Sequence, residues 1–208
     1  DFYSKFCDKL VEVSSPEVAE AAKLFENTFR QVNIALVNEF AQIAHLLGIS
    51  VYETLDAANT KPYGFMKFTP SSGVGGHCIA VDPGFIVARD PENAQIIRAA
   101  REVNNRKTDW VIDQIKTVAA DFALKTGFKP KIACLGLAFK PDIDDLRESP
   151  AVHIAQVLLS QGYDLVAVEP NMQDDNRFKL IDLDGALKSA DVVAILVRHK
   201  QFISAAKA

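Results

Sequence analysis

The amino-acid sequence predicts an α/β protein in which a central domain built on one long helix precedes a Rossmann-like domain with a parallel sheet. The first observation is a helical pattern of apolar residues that runs without interruption from residue 16 to residue 47. The second is the alternation of short apolar strands with helical segments after residue 131. Strands that alternate with helices form a parallel sheet, because each helix carries the chain back to the edge from which the next strand starts.

Composition excludes several classes of protein before any motif is considered. With 208 residues, of which 49% are hydrophobic and 24% charged, the chain can bury the core of one large domain or two small ones. A formal net charge of −4 without clustered basic residues argues against a nucleic-acid partner. No apolar run approaches the roughly 18 residues that span a bilayer, so no membrane partner is expected. Three cysteines without a CxxC spacing predict neither a disulfide framework nor a metal site, and favour a cytoplasmic location.

The long helix has a strong start signal in residues 14–17, Ser-Ser-Pro-Glu. Two arrangements fit this signal: Ser14 caps the helix in a capping box, or Ser15 caps it with proline in the first helical position. The helical pattern reaches Leu47, and Gly48 is a natural stop. At about 1.5 Å per residue the helix spans roughly 45–50 Å, a length typical of a domain spine or a dimer interface.

The remaining elements follow from the period of the apolar residues and from the positions of glycine and proline. Helices are predicted for residues 51–59, 91–124, 149–160 and 183–188, strands for residues 132–135, 165–168 and 192–197, and an irregular loop for residues 60–83. The loop contains three prolines and four glycines, which interrupt regular backbone hydrogen bonding.

This loop contains the first candidate for chemistry, the segment Gly73-Val-Gly-Gly-His-Cys78. Glycines allow close backbone approach and leave amides free to bind an oxyanion, so a thiol beside them is suited to nucleophilic catalysis. A tight turn with an inert buried cysteine fits the pattern equally well. Adjacent His77 and Cys78 do not favour a protease-like dyad, and a third metal ligand is missing. Cys134 lies in an apolar strand and is predicted to be core, and Cys7 has no such context.

A second candidate is a polar stripe on the long helix. Lys23, Asn27 and Arg30 fall within about 60° of one another around the helix axis. Apolar residues such as Phe25 and Leu36 lie on the opposite side. The stripe alone does not separate a functional face from an ordinary solvated one.

Three segments together resemble one known family. Residues 73–83, Gly-Val-Gly-Gly-His-Cys-Ile-Ala-Val-Asp-Pro, are similar to the cysteine motif of the UDP-glucose/UDP-N-acetylmannosamine dehydrogenases. Residues 19–30, continuing to Asn38 and Glu39, are similar to the central helix of that family. Residues 136–149, which begin Gly-Leu-Ala-Phe-Lys-Pro, are similar to its UDP-domain signature. The three segments have the order and spacing of the family.

The resemblance implies an NAD-dependent, four-electron oxidation of a UDP-sugar at C6. Cys78 would attack the aldehyde intermediate to give a thiohemiacetal, and a second hydride transfer would give a thioester. Asp82 would help water to release the uronate. Lys23 and Asn27 match the residues that stabilise the developing oxyanion and position water, as a cation and an amide donor one helical turn apart can do.

The resemblance also assigns binding roles. Arg30 and Gly75 would contact the substrate. Phe139 and Lys140 match residues at the uridine nucleotide, although Lys140 also fits an ordinary solvated loop lysine. Arg147 matches an arginine that reaches NAD from across the cleft.

The domain limits follow from the same comparison. Residues 1–14 would be the end of an NAD-binding domain, residues 15–128 the central dimerisation domain, and residues 129–208 a UDP-binding domain that stops before its final strand. No GxGxxG follows a strand in this chain, so the 208 residues alone are expected to bind a UDP-sugar and to homodimerise through the long helix without reducing NAD. A purely non-catalytic binding fragment is the alternative.

The substrate expected from the resemblance is a UDP-N-acetylhexosamine, with UDP-N-acetylmannosamine favoured. His77 precedes the cysteine where UDP-glucose enzymes have a small residue. One departure is the run Lys61-Pro62-Tyr63, where the N-acetylmannosamine branch often has His-Pro-Arg, so a sugar-recognising arginine is not identified. Hydroxyacid dehydrogenases with a similar long helix do not need a Gly-Gly-His-Cys loop, and Cys78 therefore argues against them.

Overall fold

The computed structural model describes residues 2–205, and only the backbone of residues 204 and 205. After a short 3-10 helix at Tyr3–Lys5, the elements in chain order are α1 Pro16–Leu46, α2 Val51–Ala58, α3 Cys78–Arg89, α4 Gln95–Thr126, β1 Lys131–Leu135, α5 Pro150–Ser160, β2 Asp164–Val168, α6 Leu183–Ser189, β3 Val192–Ile195 and α7 Lys200–Ala205. The predicted α/β class, a long-helix unit followed by a parallel sheet, is confirmed. Residue 1 of the predicted segment 1–14 and residues 206–208 of the predicted segment 129–208 lie outside the described residues.

The start of α1 distinguishes between the two predicted caps. Ser15 has an extended backbone and its hydroxyl accepts a hydrogen bond from the Val18 amide at 3.4 Å, while Pro16 occupies the first helical position. This is the second of the two arrangements. Proline costs nothing at that position because the first amides of a helix have no partner within it.

The predicted loop 60–83 is wrong in its last six residues, which form the first half of α3. The prediction treated Pro83 as a helix breaker, but this residue is buried inside α3 together with Ala80. The guanidinium of Arg101 on α4 donates to the carbonyl of Ala80. Packing of α3 against α1 and α4 therefore outweighs the loss of one backbone hydrogen bond at the proline.

The helical unit is held by a buried polar network between α1 and α4. Asn38 donates through Nδ2 to Oδ1 of Asn104 at 2.9 Å, and Asn104 donates in turn to the carbonyl of Gln31 at 3.2 Å. All three side chains are buried. A buried polar pair loses its partners if either helix slides, so the network sets how α1 and α4 lie along each other.

The sheet has the order β2-β1-β3, and both strand pairs are parallel. Ile132 and Cys134 of β1 belong to a core shared with α4 and α5, whereas Ala133 and Leu135 belong to a core shared with α6 and α7. This alternation is the period of a strand, and burial of both faces is typical of parallel sheets. Helix α7, which the sequence did not predict, places Phe202 in the second core.

Helix α4 joins the two units. Its first half packs along α1, and its second half contributes Ile112, Ile115 and Ala119 to the core of the sheet. It ends at Gly127, whose φ of +83° is the left-handed conformation that stops a helix. Within residues 2–205, neither the two long helices nor the shorter ones combine the length and the apolarity that crossing a bilayer requires.

Candidate active site

Cys78 is the first residue of α3 and its thiol is exposed. The structural alternative for this cysteine was a buried and inert thiol, and the exposed position does not agree with it. Cys134, by contrast, is fully buried in β1, as predicted. Burial raises the pKa of the Cys134 thiol to about 12, so this cysteine is not a nucleophile at neutral pH.

The glycines before Cys78 lie against the loop that follows β1. Gly76 has a φ of +82° and its amide donates to the carbonyl of Arg147 at 3.0 Å. A Cβ on Gly75 would lie 2.5 Å from the carbonyl oxygen of Glu148 and 2.8 Å from the ring of Pro150. Close approach between the two units therefore requires glycine here, a reason that sequence analysis did not identify.

Asp82 follows Cys78 by one turn of α3, so the two side chains share a face of the helix. The Asp82 carboxylate, which is half-buried, accepts a hydrogen bond of 2.5 Å from Nδ2 of Asn27. Asn27 is only 2% exposed and lies on the side of α1 that packs on α3. The structure thus brings together three of the predicted residues: Cys78, Asp82 and Asn27.

Lys23 and Arg30 are on the same stripe of α1 but remain at its surface. Lys23 pairs with Glu26 at 3.1 Å, and both side chains are about 60% exposed. Such a pair contributes little to stability and breaks easily, because water competes for both charges. The structure does not bring either residue into contact with Cys78.

Phe139 and Lys140 follow β1 at the end of the sheet where an α/β unit binds its ligands. The Phe139 ring is half-buried against residues 73–76, the glycine loop, since a Cβ on Gly76 would lie 2.8 Å from it. Its amide donates to the carbonyl of Asp145 at 3.0 Å. Lys140 is exposed, with its ammonium 5.6 Å from the centre of the Phe139 ring.

Arg147 is held by a carboxylate. Its Nε lies 3.0 Å from Oδ1 of Asp145 and its Nη2 lies 2.6 Å from Oδ2. These hydrogen bonds lower the pKa of Asp145 to about 2. They also raise the pKa of Arg147, to which the charge of Cys78 adds a smaller increase. Arg147 therefore lies within electrostatic range of the candidate nucleophile.

An open cleft lies beside these residues. It is lined by residues 144–148 from the loop after β1 and by Met172, Asp175 and Arg177 from the loop after β2. Arg177 is clamped by Asp175 with the same geometry that Asp145 gives to Arg147, with Nη2 2.7 Å from Oδ2. The cleft thus carries charges of both signs at the carboxyl ends of two parallel strands.

The arrangement is suited to covalent catalysis at a carbonyl carbon. An exposed thiol supplies a nucleophile, and the Arg147 guanidinium lies within electrostatic range of it. A carboxylate one turn away, oriented by a buried amide, can position and deprotonate water. Among residues 2–205 no group of histidine, cysteine or acidic side chains is placed to hold a metal ion.

Two residues that hold the chain just before the glycine loop were not identified from the sequence. Asn38 accepts the Ser71 amide at 2.8 Å, and the Thr108 hydroxyl donates to the carbonyl of Ser72 at 2.9 Å. A signal for Asn38 was available, because it lies eleven residues after Asn27 and therefore on the same face of α1. Thr108 carries no comparable signal.

Known proteins resemble this chain along most of its length. Residues 17–106 match the central domain, and residues 133–208 the UDP-binding domain, of the UDP-glucose/GDP-mannose dehydrogenase family. The UDP-N-acetyl-D-mannosamine dehydrogenase of Escherichia coli strain K12 is 47% identical over 97% of this chain and 50% of its own length. An NDP-N-acetyl-D-galactosaminuronic acid dehydrogenase of Ralstonia nicotianae is 45% identical over 91% of this chain and 45% of its own length.

A solved structure shows the same fold. The UDP-N-acetyl-mannosamine dehydrogenase of Staphylococcus aureus is 39% identical, with a TM-score of 0.82, over 97% of this chain and 46% of that one. The chain spans about half the length of the curated relatives that it matches. The resemblance predicted from three sequence segments is thereby confirmed. The chain belongs to the UDP-glucose/GDP-mannose dehydrogenase family, and it contains the central domain and the UDP-binding domain of that family.

Proposed function

We propose that the complete protein oxidises C6 of a UDP-N-acetylhexosamine, with UDP-N-acetylmannosamine favoured, to the uronate in an NAD-dependent reaction. The observation that carries this proposal is the exposed Cys78 thiol, one helical turn from the Asp82–Asn27 pair. These residues supply a nucleophile and a water-directing carboxylate, the two groups that a thioester route needs.

In this reaction the alcohol at C6 first loses a hydride and a proton and becomes an aldehyde. The sulfur of Cys78 then forms a bond to C6 and the thiol proton passes to the C6 oxygen, giving a thiohemiacetal. Loss of a second hydride from C6, together with the hydroxyl proton, converts this adduct to a thioester. Water, deprotonated by Asp82, attacks the thioester carbon, the C–S bond breaks, and the uronate leaves with the thiol restored.

The oxyanion that develops on the C6 oxygen needs donors. Asn27 has one amide hydrogen on Asp82 and a second hydrogen that can serve this oxygen. Lys23 is one turn away on the same helix. Its ammonium group can approach the same oxygen as the Asn27 amide once it leaves Glu26, since that exposed ion pair is weak. A cation and an amide aimed at one oxygen lower the barrier by stabilising its charge.

The UDP-sugar is assigned to the loop after β1. Phe139 can stack on the base, Lys140 can neutralise a phosphate, and Arg30 and Gly75 can contact the sugar. The glycine loop and the Phe139 loop touch, and so the nucleotide end and the reactive end of one ligand can be held close together. This contact is the structural support for the assignment.

NAD, when bound, accepts one hydride in each of the two oxidation steps. The described residues fit only part of that cofactor. The turn after β1 lacks a GxGxxG sequence, and its Leu137 and Ala138 amides donate to Glu169 at 2.7 and 3.0 Å. Arg147 can offer its Nη1 to an anionic group, because Asp145 holds the other two nitrogens. The dinucleotide therefore has to be held mainly by other residues.

A homodimer through α1 is the proposed assembly. Apolar side chains that are not buried recur along one stripe of the helix, at positions Phe25, Phe29, Val32, Leu36, Ile43 and Leu47. This spacing follows the helical period, and soluble monomers rarely expose a contiguous apolar surface of this length. A second copy of the same helix is the partner that buries it symmetrically.

The choice of an N-acetylated sugar rests on the relatives. The names of those from Escherichia coli and Staphylococcus aureus specify UDP-N-acetylmannosamine, and the Ralstonia name specifies an N-acetylated galactosaminuronic acid. Measuring kcat/KM of the complete protein for UDP-N-acetylmannosamine, UDP-N-acetylglucosamine and UDP-glucose tests the choice. A higher value for UDP-glucose than for both N-acetyl sugars would overturn it.

The nucleophile is tested by NADH absorbance and by uronate analysis. Cys78→Ala should form no uronate, while Cys7→Ala, which changes an exposed cysteine outside the loop, should turn over like the wild type. Normal turnover by Cys78→Ala would refute the proposed role of the thiol.

The alternative is that these 208 residues, without further chain, form a binding fragment. With residues 15–128 as the central domain and residues 129–208 as the UDP-binding domain, the fragment should bind UDP and dimerise but leave NAD unreduced. Calorimetry with UDP and sedimentation test the first two points. Production of NADH by the fragment alone would show that it holds the cofactor without help.

A further inference from the structure

A buried carboxylate lies directly under the loop that follows β1. Glu169 comes immediately after β2 and is 4% exposed. Its Oε2 accepts the amides of Leu137 and Ala138 at 2.7 and 3.0 Å, and its Oε1 accepts the amide of Asn171 at 3.2 Å. Burial of a carboxylate is unfavourable unless donors surround it, and here the donors are the backbone of the turn itself.

His199 completes the surroundings of this carboxylate. It is 1% exposed, and the amide of Asp142 donates to its Nδ1 at 2.9 Å. Nδ1 is therefore an acceptor and carries no proton, which assigns the ring proton to Nε2. Nε2 donates to Oε2 of Glu169 at 3.2 Å. One neutral imidazole thus links the carboxylate to the far side of the loop.

Asn171 makes the third attachment. Its Nδ2 donates to the carbonyl of Ile143 at 3.1 Å and lies 3.4 Å from both Oε1 of Glu169 and Nδ1 of His199. Asn171 and His199 thus each contact Glu169 as well as the loop. The three side chains hold the loop at its beginning and at its middle.

The loop needs this support because part of its backbone is strained. Asp142 has a φ of +63°, a region that residues other than glycine seldom occupy. In addition to the bond from its amide to His199, its carboxylate accepts the amide of Lys200 at 3.1 Å. A strained residue persists where the surrounding contacts over-determine it.

We infer that Glu169, Asn171 and His199 are positioning residues that fix the loop carrying Phe139 and Lys140 in the shape that receives the uridine nucleotide. The inference rests on the proposed function for the identity of the ligand. Its structural part, that the three side chains fix the loop, does not depend on any ligand.

The position of Glu169 also has a chemical meaning. In dinucleotide-binding folds the amides of the turn after the first strand bind the pyrophosphate, and an acidic residue at the end of the second strand binds the ribose. Here the acidic residue after β2 bonds to the amides of that turn, so the two groups satisfy each other. Neither the turn amides nor the Glu169 carboxylate is therefore available to a dinucleotide. A nucleotide would be contacted instead by the side chains of Phe139 and Lys140.

The test is Glu169→Gln in the complete protein. The amide keeps the shape of the side chain but replaces one acceptor oxygen with a donor, which faces donors of the turn. Since a hydrogen bond to a charged group contributes about 1.5–3 kcal/mol, the Kd for UDP in calorimetry should rise about 10- to 100-fold. KM for the UDP-sugar should rise with it, while kcat and KM for NAD change little. A variant that was only less stable would not raise the Kd for UDP and the KM for the UDP-sugar while leaving kcat and the KM for NAD unchanged.

Asn171→Ala is the milder variant, because Asn171 is exposed and its loss leaves the core intact. Loss of its hydrogen bond to Ile143 should raise the Kd for UDP by about 3- to 10-fold. Matched controls are Asp164→Asn, at the exposed start of β2, and Asn176→Ala, which changes an exposed side chain of the loop that follows β2. Both controls should bind UDP like the wild type.

Amide hydrogen exchange without ligand gives an independent readout. Exchange at Leu137 and Ala138 should accelerate in Glu169→Gln and stay unchanged in Asp164→Asn. If both readouts are unchanged in Glu169→Gln and in Asn171→Ala, the inference is wrong. If the wild type does not bind UDP, the proposed function fails instead, and the exchange rates still decide whether the three side chains fix the loop.

Discussion

Asn27 and Asp82 are 55 residues apart in the chain, yet the amide nitrogen of one lies 2.5 Å from a carboxylate oxygen of the other. The hydrogen bond joins α1 to α3 beside the candidate nucleophile. It holds Oδ2 of Asp82, and among the described contacts Oδ1 accepts no hydrogen bond. A carboxylate with one oxygen fixed and one available is oriented for work as a base.

The first prediction concerns this pair. Asn27→Ala removes an oxyanion donor and releases Asp82, so kcat should fall by about 10²–10³, the usual loss for one such donor. Lys23→Ala should lower kcat in the same range. The control is Asn33→Ala on the same helix, whose side-chain amide donates, among the described contacts, to the helix carbonyl of Phe29. Steady-state kinetics decide the question, since an effect confined to KM would indicate ordinary binding.

The second prediction concerns the three thiols. Burial raises the pKa of Cys134 to about 12, so its thiolate is nearly absent at about pH 8. Iodoacetamide should therefore modify the exposed Cys78 and Cys7 and spare Cys134 in the folded protein. Peptide mass spectrometry measures the three sites in one sample. Modification of Cys134 without prior unfolding would contradict its assigned place in the core.

The third prediction concerns the contact between the glycine loop and the second unit. Gly75→Ala places a Cβ against the backbone oxygen of Glu148, a clash that costs about 1–3 kcal/mol and lowers kcat/KM by moving Cys78. Gly84→Ala is the control, because open space surrounds that glycine within α3. It should be neutral or stabilising by about 0.5–1 kcal/mol. Equal denaturation midpoints for the two variants would argue against the contact.

The fourth prediction concerns a buried lysine. Lys107 is 5% exposed, lies 3.8 Å from the centre of the Trp110 ring, and pairs with no carboxylate in residues 2–205. Desolvation lowers its pKa to about 8. At pH 7 the folded protein therefore carries a poorly solvated cation, and Lys107→Met should raise the free energy of unfolding by about 1–3 kcal/mol.

The effect of Lys107 on stability should depend on pH. Between about pH 8 and pH 10.5 the unfolded chain binds the proton at Lys107 and the folded chain does not, so the contribution of Lys107 to the free energy of unfolding rises with pH in that window. The advantage of Lys107→Met should shrink accordingly by about pH 10. Lys116→Met, which changes a more exposed lysine of α4, should have little effect at either pH. A constant difference across the window would contradict the assigned pKa.

Local signals predicted most of the fold. The cap at Ser15, the stop after Leu47 and the strands of the sheet each follow from a few neighbouring residues. The half of α3 that was predicted as loop is different, because Pro83 is tolerated only through the burial of α3 against two other helices. That packing joins segments distant in the chain, and no local pattern contains it.

The candidate site likewise contains residues that local sequence patterns identify and contacts that depend on segments distant in the chain. Cys78, Asp82 and Asn27 could be found from motif and helical period, and the structure brings these three together. The purpose of the glycines could not be found, because the Phe139 ring and the carbonyl of Glu148 that require them come from the other unit. Glu169 gave no signal either, since its partners are backbone amides more than thirty residues earlier in the chain.

Helix α4 has a mechanical consequence. It is one uninterrupted helix of 32 residues, anchored to α1 at Asn104 and to the sheet at Ile112 and Ile115. Since a helix without a kink residue is stiff, the sheet cannot swing relative to α1 unless α4 bends. The segment 73–78 and the loop that follows β1 are thus held at a fixed distance from each other, so little binding free energy is needed to bring them together around a ligand.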